Sequence, residues 1–207
     1  RDVLESLQEN IDEYEPDIIF WSAFSSHIHG EGEYVNIQYG YQLIEKIETS
    51  AILVTGGLQV TANPNLMISE FPKVNYFLGG ETEFTLADFV DKYPNHDSIK
   101  SSVKGLIFKE DNKIKRNPPQ NLINEMDSIP MYDYSLFEDQ VFIRPYNGKI
   151  YNAVDYELSR GCPFTCSYCV ETVIQDYYGF DEKVQNGVLK NARQYLRNKS
   201  AKRIFDE

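Results

Sequence analysis

The stretch Ala51-Ile52-Leu53-Val54-Thr55-Gly56-Gly57 indicates the fold class of this chain, because it joins an apolar strand to a glycine turn. A continuous apolar run of this length is typical of a strand buried on both faces of a parallel sheet. Two similar runs flank it, from Ile18 to Trp21 and from Val74 to Leu78. The three runs predict neighbouring strands of one sheet.

Segments with helical periodicity separate these strands. Apolar residues fall on one helical face from Val3 to Tyr14, from about Tyr34 to Glu48, and from Leu86 to Tyr93. Strands that alternate with helices form parallel sheets with right-handed crossovers and helices on both faces. The first half of the chain is therefore predicted to be an α/β, doubly wound parallel-sheet domain of the Rossmann-like type.

The pattern changes after Gly105. Two short runs flank the turn at Glu110 to Asn112 and predict a small hairpin, and a polar, proline-rich stretch follows it. Many aromatic residues come next, and we expect most of them to pack against a domain surface. We predict a first domain over residues 1–116 with the hairpin at its end, a linker over 117–150 and a second domain over 151–207.

Composition excludes several classes of partner. The chain has 207 residues, and its 32 acidic and 20 basic residues give a net charge of -12, so it carries no electrostatic footprint for nucleic acid. No apolar run reaches the roughly 18 residues of a membrane-spanning helix. We expect a cytoplasmic protein.

Because the chain starts at Arg1 and stops at Glu207, we also expect a fragment truncated at both ends and inactive by itself.

All three cysteines stand in one short segment, with the spacing Cys162-x3-Cys166-x2-Cys169. An odd number so close together is not a disulfide framework. Structural zinc and protein-held ferredoxin clusters each take four ligands. Three thiolates can instead hold three irons of a 4Fe-4S cluster and leave the fourth iron open to a ligand. The segment is predicted to be a metal site rather than a chance group of buried thiols.

Small and polar residues follow the three predicted strands. They are Ser22, then Gly56 and Gly57, then Gly79, Gly80 and Glu81. Ligands of doubly wound sheets bind at the carboxyl ends of the strands, where glycine lets a backbone approach a ligand closely. The alternative is that these glycines are ordinary turns between strand and helix.

The cysteine spacing, with the aromatic Tyr168 before the last cysteine, resembles the radical S-adenosylmethionine (radical SAM) enzymes. The resemblance implies that Cys162, Cys166 and Cys169 hold a 4Fe-4S cluster and that its open iron chelates S-adenosyl-L-methionine. Tyr168 would contact the adenine side of that ligand. It also implies a 5'-deoxyadenosyl radical and an external electron donor of the flavodoxin or ferredoxin type.

The order of the motifs is similar to that of the cobalamin-binding subclass of this superfamily. Ser22-x-Phe24 and Gly56-Gly57 resemble two parts of a cobalamin-binding fingerprint, and they precede the hairpin, the linker and the cysteines in the family's order. The resemblance implies cobalamin contacts at Ser22, Phe24, Gly56, Gly57, Gly79, Gly80 and Glu81. Two features depart from the family: Leu58-Gln59-Val60 replaces a proline-histidine pair, and the interval from Phe24 to Gly56 is long.

The resemblance also implies that the second domain is the first part of a partial (β/α)6 barrel. Its first strand would run from Val154 to Ser159, followed by a helix with apolar residues from Val184 to Leu196. Arg203 to Phe205 would form the second strand. Asp206 and Glu207 would then receive the amino end of S-adenosyl-L-methionine.

Three functions remain open at the level of sequence. The first is cobalamin-dependent methyl transfer to an unactivated carbon or phosphorus centre of a small-molecule or natural-product substrate. The second is radical SAM cyclisation, rearrangement or sulfur insertion without methylcobalamin. The third is a non-catalytic iron-sulfur binding module.

Overall fold

The computed structural model describes residues 2–22, 33–154, 156–180, 183–184 and 187–207. The chain forms two compact units. Unit 1 contains residues 1–122 and 167–179, and unit 2 contains residues 123–166 and 180–207. The domain limits predicted at residues 116 and 150 stay a prediction.

Unit 1 is built on a five-stranded sheet in the order β1-β2-β3-β4-β5. Strands β1 to β3 pair in parallel, whereas β4 and β5 continue the sheet in antiparallel pairing. The predicted parallel sheet is therefore confirmed over three strands, and the predicted hairpin is an extension of it. The strands are β1 (Ile18–Ser22), β2 (Ile52–Gly56), β3 (Tyr76–Leu78), β4 (Leu106–Glu110) and β5 (Lys113–Arg116).

Helices connect these strands, and short polar side chains start several of them. Asp2 caps the first helix by accepting a hydrogen bond from the Leu4 N–H, and Asn63 and Asn95 cap two later ones in the same way. The helices of unit 1 are α1 (Val3–Tyr14), α2 (Glu33–Lys46), α3 (Leu58–Ala62), α4 (Pro64–Glu70), α5 (Glu83–Lys92), α6 (His96–Ser102) and α7 (Glu171–Tyr177).

Two hydrophobic clusters cover the two faces of the sheet. Phe77 belongs to the cluster formed with α3 and α4, whereas its neighbours Tyr76 and Leu78 belong to the cluster formed with α5 and α6. Successive side chains of a strand point to opposite faces, so β3 is buried on both sides. The prediction of helices on both faces is confirmed.

Unit 2 is built from short elements. Its described residues form three 3-10 helices (Met126–Ser128, Tyr134–Leu136 and Asp139–Phe142), strands β6 (Ile143–Tyr146), β7 (Lys149–Asn152), β8 (Ser159–Arg160), β9 (Lys183–Val184), β10 (Val188–Leu189) and β11 (Arg197–Asn198), and helices α8 (Ala192–Tyr195) and α9 (Ala201–Asp206). Strand β6 pairs with β7, β8 with β11 and β9 with β10, all of them antiparallel.

The predicted strand from Val154 to Ser159 is wrong in extent. In this segment β8 begins only at Ser159, and it pairs with β11. The side chains of Val154 and Leu158 are 46% and 52% exposed, so the apolar run is not buried as a barrel strand would be.

Two further predicted elements are also corrected. The segment from Val184 to Leu196 is not one helix, because Gly187 has a φ of +70° and separates β9 from β10. Arg203 to Phe205 is helical rather than a strand. The reason is that Ser200 caps α9 by accepting a hydrogen bond from the Arg203 N–H, and this bond favours a helix start.

Among the described residues, no helix has both the length and the apolar character needed to cross a membrane.

Candidate cofactor sites

Backbone pairing in unit 2 holds the first part of the cysteine motif. The Thr165 N–H donates to the Gly187 carbonyl at 2.8 Å, and the Leu189 N–H donates to the Pro163 carbonyl at 2.8 Å. These bonds attach the segment between Cys162 and Cys166 to the strand pair β9–β10. Neither cysteine is part of a disulfide, and both are partly exposed.

Gly161 allows the chain to turn from β8 into this segment. Its φ is +90°, and a Cβ at this position would lie 2.4 Å from the carbonyl oxygen of Tyr195. A backbone oxygen cannot move aside as the end of a side chain can, and an L side chain is also strained at this φ. Glycine is therefore required before Cys162 for two independent reasons.

Cys169 belongs to unit 1 and is held by the helix that follows it. The hydroxyl of Thr172 donates to the Cys169 carbonyl at 2.9 Å, and the Thr172 N–H donates to the same oxygen at 3.3 Å. Cys169 is a partly exposed free thiol. Its backbone is thus fixed to the first turn of α7.

The donor chemistry of the motif fits an iron-sulfur cluster, since three cysteines outside any disulfide can supply three thiolate ligands. In the ranges that the structure describes, no group of three or more His, Cys, Asp or Glu side chains is gathered as a metal site. The ligand roles of the cysteines stay a prediction. The side chain of Tyr168 is 90% exposed, and its contact with adenine also stays a prediction.

The parallel strands place the predicted cobalamin residues along one edge of unit 1. Ser22 is in register with Gly56, and Gly56 with Leu78, directly before Gly79. Phe24 lies outside the described residues. A Cβ at Gly56 would lie 2.6 Å from Cγ2 of Thr82, so a neighbouring side chain requires this glycine. Gly57 has a φ of +108° and precedes α3.

Side chains of unit 1 also cover Gly79, Gly80 and Glu81. The hydroxyl of Thr61 accepts a 2.8 Å hydrogen bond from the Gly80 N–H, and the hydroxyl of Tyr178 accepts a 2.6 Å bond from the Glu81 N–H. A Cβ at Gly80 would lie 2.4 Å from the Tyr178 hydroxyl oxygen. The space above this glycine pair is therefore filled by protein, and the pair does not fit a ligand pressed against its backbone in this arrangement.

The predicted acidic residues at positions 206 and 207 differ in environment. Asp206 forms an ion pair with Lys202, whose side chain is 84% exposed. The Glu207 carboxylate accepts hydrogen bonds from Lys199 at 2.8 Å and from Tyr156 at 2.6 Å. Burial alone would raise the pKa of Glu207, but these hydrogen bonds and one from Arg203 outweigh it and lower the pKa to about 2. The proposed contacts with S-adenosyl-L-methionine stay a prediction.

Sequence reasoning missed several residues that shape these sites. Tyr177 and Tyr178 lie almost one hundred positions after the glycines that they cover, and no local period relates the two segments. Thr61 carries no motif. Burial raises the pKa of Tyr177 to about 12. This burial follows from the fold and has no signal in the sequence.

No family model matches the chain. Two curated proteins are similar to it in sequence. An uncharacterized methyltransferase of Pyrococcus horikoshii is 30% identical over 159 residues, which are 77% of this chain and 32% of the relative. An anaerobic magnesium-protoporphyrin IX monomethyl ester cyclase of Cereibacter sphaeroides is 28% identical over 167 residues, 80% of this chain and 26% of the relative. The chain spans about a third or less of either protein.

One solved structure similar to the chain is the radical S-adenosylmethionine methyltransferase TsrM from Kitasatospora setae, with cobalamin and a 4Fe-4S cluster bound. It matches with a TM-score of 0.60 and 19% identity, over 100% of this chain and 37% of that one. The predicted α/β class with a parallel sheet is confirmed, and the predicted resemblance to cobalamin-binding radical SAM proteins is confirmed at the level of the fold.

Proposed function

We infer that the intact protein is a radical SAM enzyme, because this chain has the fold of a cobalamin-binding radical SAM methyltransferase. It generates a 5'-deoxyadenosyl radical at a 4Fe-4S cluster and transfers a methyl group, with cobalamin, to an unactivated centre of a small-molecule or natural-product substrate. The observation that carries this proposal is the spacing Cys162-x3-Cys166-x2-Cys169 within a chain of that fold. The sequence similarity to a methyltransferase supports it.

The cysteines would act as thiolates, each holding one iron. When bound, the cluster supplies the electron that cleaves S-adenosyl-L-methionine. Tyr168 is exposed enough to contact adenine. The cysteines can bind iron only as reduced thiols, and an external donor of the flavodoxin or ferredoxin type would reduce the cluster that they hold. A reducing, cytoplasmic location is therefore part of the proposal.

A second function is radical cyclisation that does not use methylcobalamin. Two observations favour this function: a cyclase is among the relatives, and the space above Gly79 and Gly80 is filled by tyrosine side chains. The two functions share the cluster and S-adenosyl-L-methionine. They differ in whether the protein retains cobalamin.

One experiment separates these functions from a non-catalytic iron-sulfur module. The full-length protein is reconstituted anaerobically with iron and sulfide, reduced, and supplied with S-adenosyl-L-methionine, and 5'-deoxyadenosine is measured. We expect its formation, and we expect none from the Cys166→Ala variant. Cluster assembly without 5'-deoxyadenosine would support the non-catalytic module and contradict the enzyme.

Cobalamin retention separates methyl transfer from cyclisation. The protein is incubated with hydroxocobalamin, free ligand is removed, and the visible absorption of the corrinoid is recorded. Methyl transfer predicts retained absorption. Production of 5'-deoxyadenosine without retained corrinoid would favour cyclisation, rearrangement or sulfur insertion.

A further inference from the structure

Helix α7 connects Cys169 to the glycine edge of the sheet, and all three of these parts belong to unit 1. It begins two residues after Cys169 and packs against α3. Its last residue is Tyr177, and Tyr178 is its C-cap. The rings of these two tyrosines meet edge to face, with centroids 5.0 Å apart.

The tyrosine pair occupies a space that exists because Gly79 and Gly80 have no side chains. A Cβ at Gly79 would lie 2.9 Å from the hydroxyl oxygen of Tyr177, and a Cβ at Gly80 would lie 2.4 Å from that of Tyr178. Both separations are shorter than any ordinary contact of a methyl group. The two glycines therefore leave the space that the tyrosine pair fills, and this space beside Gly79 and Gly80 is called the seat below.

A hydrogen bond fixes the pair in this seat. The hydroxyl of Tyr178 accepts from the Glu81 N–H at 2.6 Å, which satisfies a backbone donor at the end of the β3 edge. Between the seat and Cys169, the side chain of Gln175 is completely buried. The carboxyl-terminal end of α7 is thus attached to the edge of the sheet by a partly buried hydrogen bond.

The amino-terminal end of the same helix holds Cys169. Both the N–H and the hydroxyl of Thr172 bond the Cys169 carbonyl. A helix of seven residues is a short rod of about 10 Å, so movement at one end displaces the other. The position of Cys169 depends on whether the tyrosines are seated.

We propose that Tyr177 and Tyr178 are positioning residues for Cys169, and that Gly79 and Gly80 serve to seat them. This inference rests on the proposed function in one respect, the role of Cys169 as a cluster ligand. In this proposal Gly79 and Gly80 make room for the tyrosines, whereas the sequence resemblance implies that they contact cobalamin.

The first test is the alkylation rate of each cysteine in the metal-free, reduced full-length protein, measured by peptide mass spectrometry. Cys162 and Cys166 are internal references. The Glu81 N–H is partly buried, so removing the Tyr178 hydroxyl to which it donates costs about 1 kcal/mol, which corresponds to roughly fivefold more opening. Because Cys169 is already partly exposed, we expect Tyr178→Phe to raise its alkylation rate by at most about that factor. Tyr146→Phe, at a residue 65% exposed in unit 2, is the matched control and leaves all three rates unchanged.

The second test is a double-mutant cycle at Gly79, whose backbone is not strained by a side chain. Gly79→Ala places a methyl group against the Tyr177 hydroxyl, unseats the ring and raises the Cys169 rate. Tyr177→Phe removes the oxygen that the methyl group meets. In the double variant the Cys169 rate therefore falls back towards that of Tyr177→Phe alone.

Two outcomes would overturn the proposal. One is an equal rise in the rates of all three cysteines, which indicates general loosening rather than positioning. The other is additive effects of Gly79→Ala and Tyr177→Phe. The alkylation measurement needs neither a cluster nor turnover, so it can be interpreted even if the proposed enzyme activity is not found. A negative alkylation result likewise does not affect the activity test.

Discussion

The carboxylate of Glu207 lies 2.8 Å from the ammonium of Lys199, and both side chains are only 1% exposed. The ammonium also lies 4.1 Å from the centre of the Tyr156 ring and 5.1 Å from that of Tyr132. A charge buried this deeply is tolerated only when partners replace its water. Glu207 is therefore part of the internal structure of unit 2 in the described chain.

Replacing Glu207 with Gln should destabilise unit 2. The substitution leaves the buried Lys199 charge without a counter-charge, and removing one partner of such a pair costs about 3 kcal/mol or more. The measurement is the free energy of unfolding from urea denaturation. Asp206→Asn is the control, since its ion pair is with the exposed Lys202 and should be worth less than about 1 kcal/mol. Equal effects of the two substitutions would contradict a buried role for Glu207.

The same carboxylate should make stability depend on pH in the acid range. Its pKa is about 2 in the folded chain and 4.5 ordinarily, so on acidification the unfolded state binds the proton first. The contribution of Glu207 is therefore complete above pH 4.5 and is lost as the pH falls towards 2. We expect urea midpoints measured between these limits to fall less steeply in Glu207→Gln than in the unchanged protein. Parallel pH profiles would count against the lowered pKa.

Gly161→Ala should disturb the turn that leads into Cys162. The new methyl group would meet the Tyr195 carbonyl oxygen at 2.4 Å, in addition to the strain of a φ of +90°. Gly148→Ala is a matched control, because Gly148 has a φ of +73° and no atom within 4 Å of its added Cβ. We expect the control to lose about 1 kcal/mol of stability from strain, and Gly161→Ala to lose about 1–3 kcal/mol more from the clash.

Iron content after anaerobic reconstitution should separate these two glycine variants as well. A displaced Cys162 binds its iron less well, so Gly161→Ala should take up less iron than Gly148→Ala at equal protein concentration. Equal iron content in the two folded variants would show that the turn does not control the cysteine segment.

Thr61→Val should weaken the sheet edge of unit 1. The Thr61 hydroxyl donates to the Gly57 carbonyl and accepts from the Gly80 N–H, both at 2.8 Å, and so it joins the turns after β2 and β3. Valine has the same shape without either bond, and we expect a loss of about 1–3 kcal/mol in urea denaturation. Thr61→Ser keeps the hydroxyl and should lose less. A serine variant as unstable as the valine variant would mean that packing, not hydrogen bonding, is the important contribution.

The sequence by itself determined the layered part of the fold. Buried parallel strands need continuous apolar runs, and the runs at Ile18, Ala51 and Val74 correspond to β1, β2 and β3. The spacing of Cys162, Cys166 and Cys169 also predicts cluster chemistry, because a ligand count and a spacing are properties of sequence alone, and this stays a prediction.

Tertiary structure decided what sequence could not. Apolar residues from Val184 to Leu196 have helical spacing, yet Gly187 and the antiparallel pairing of β9 with β10 produce two short strands, and only α8 is helical among the residues described there. Paired glycines at positions 79 and 80 suggest a ligand, whereas the structure shows tyrosine rings from a segment almost one hundred residues away. The physical reason is that periodicity records which side chains prefer burial, but only the folded chain determines which atoms fill the space beside a glycine.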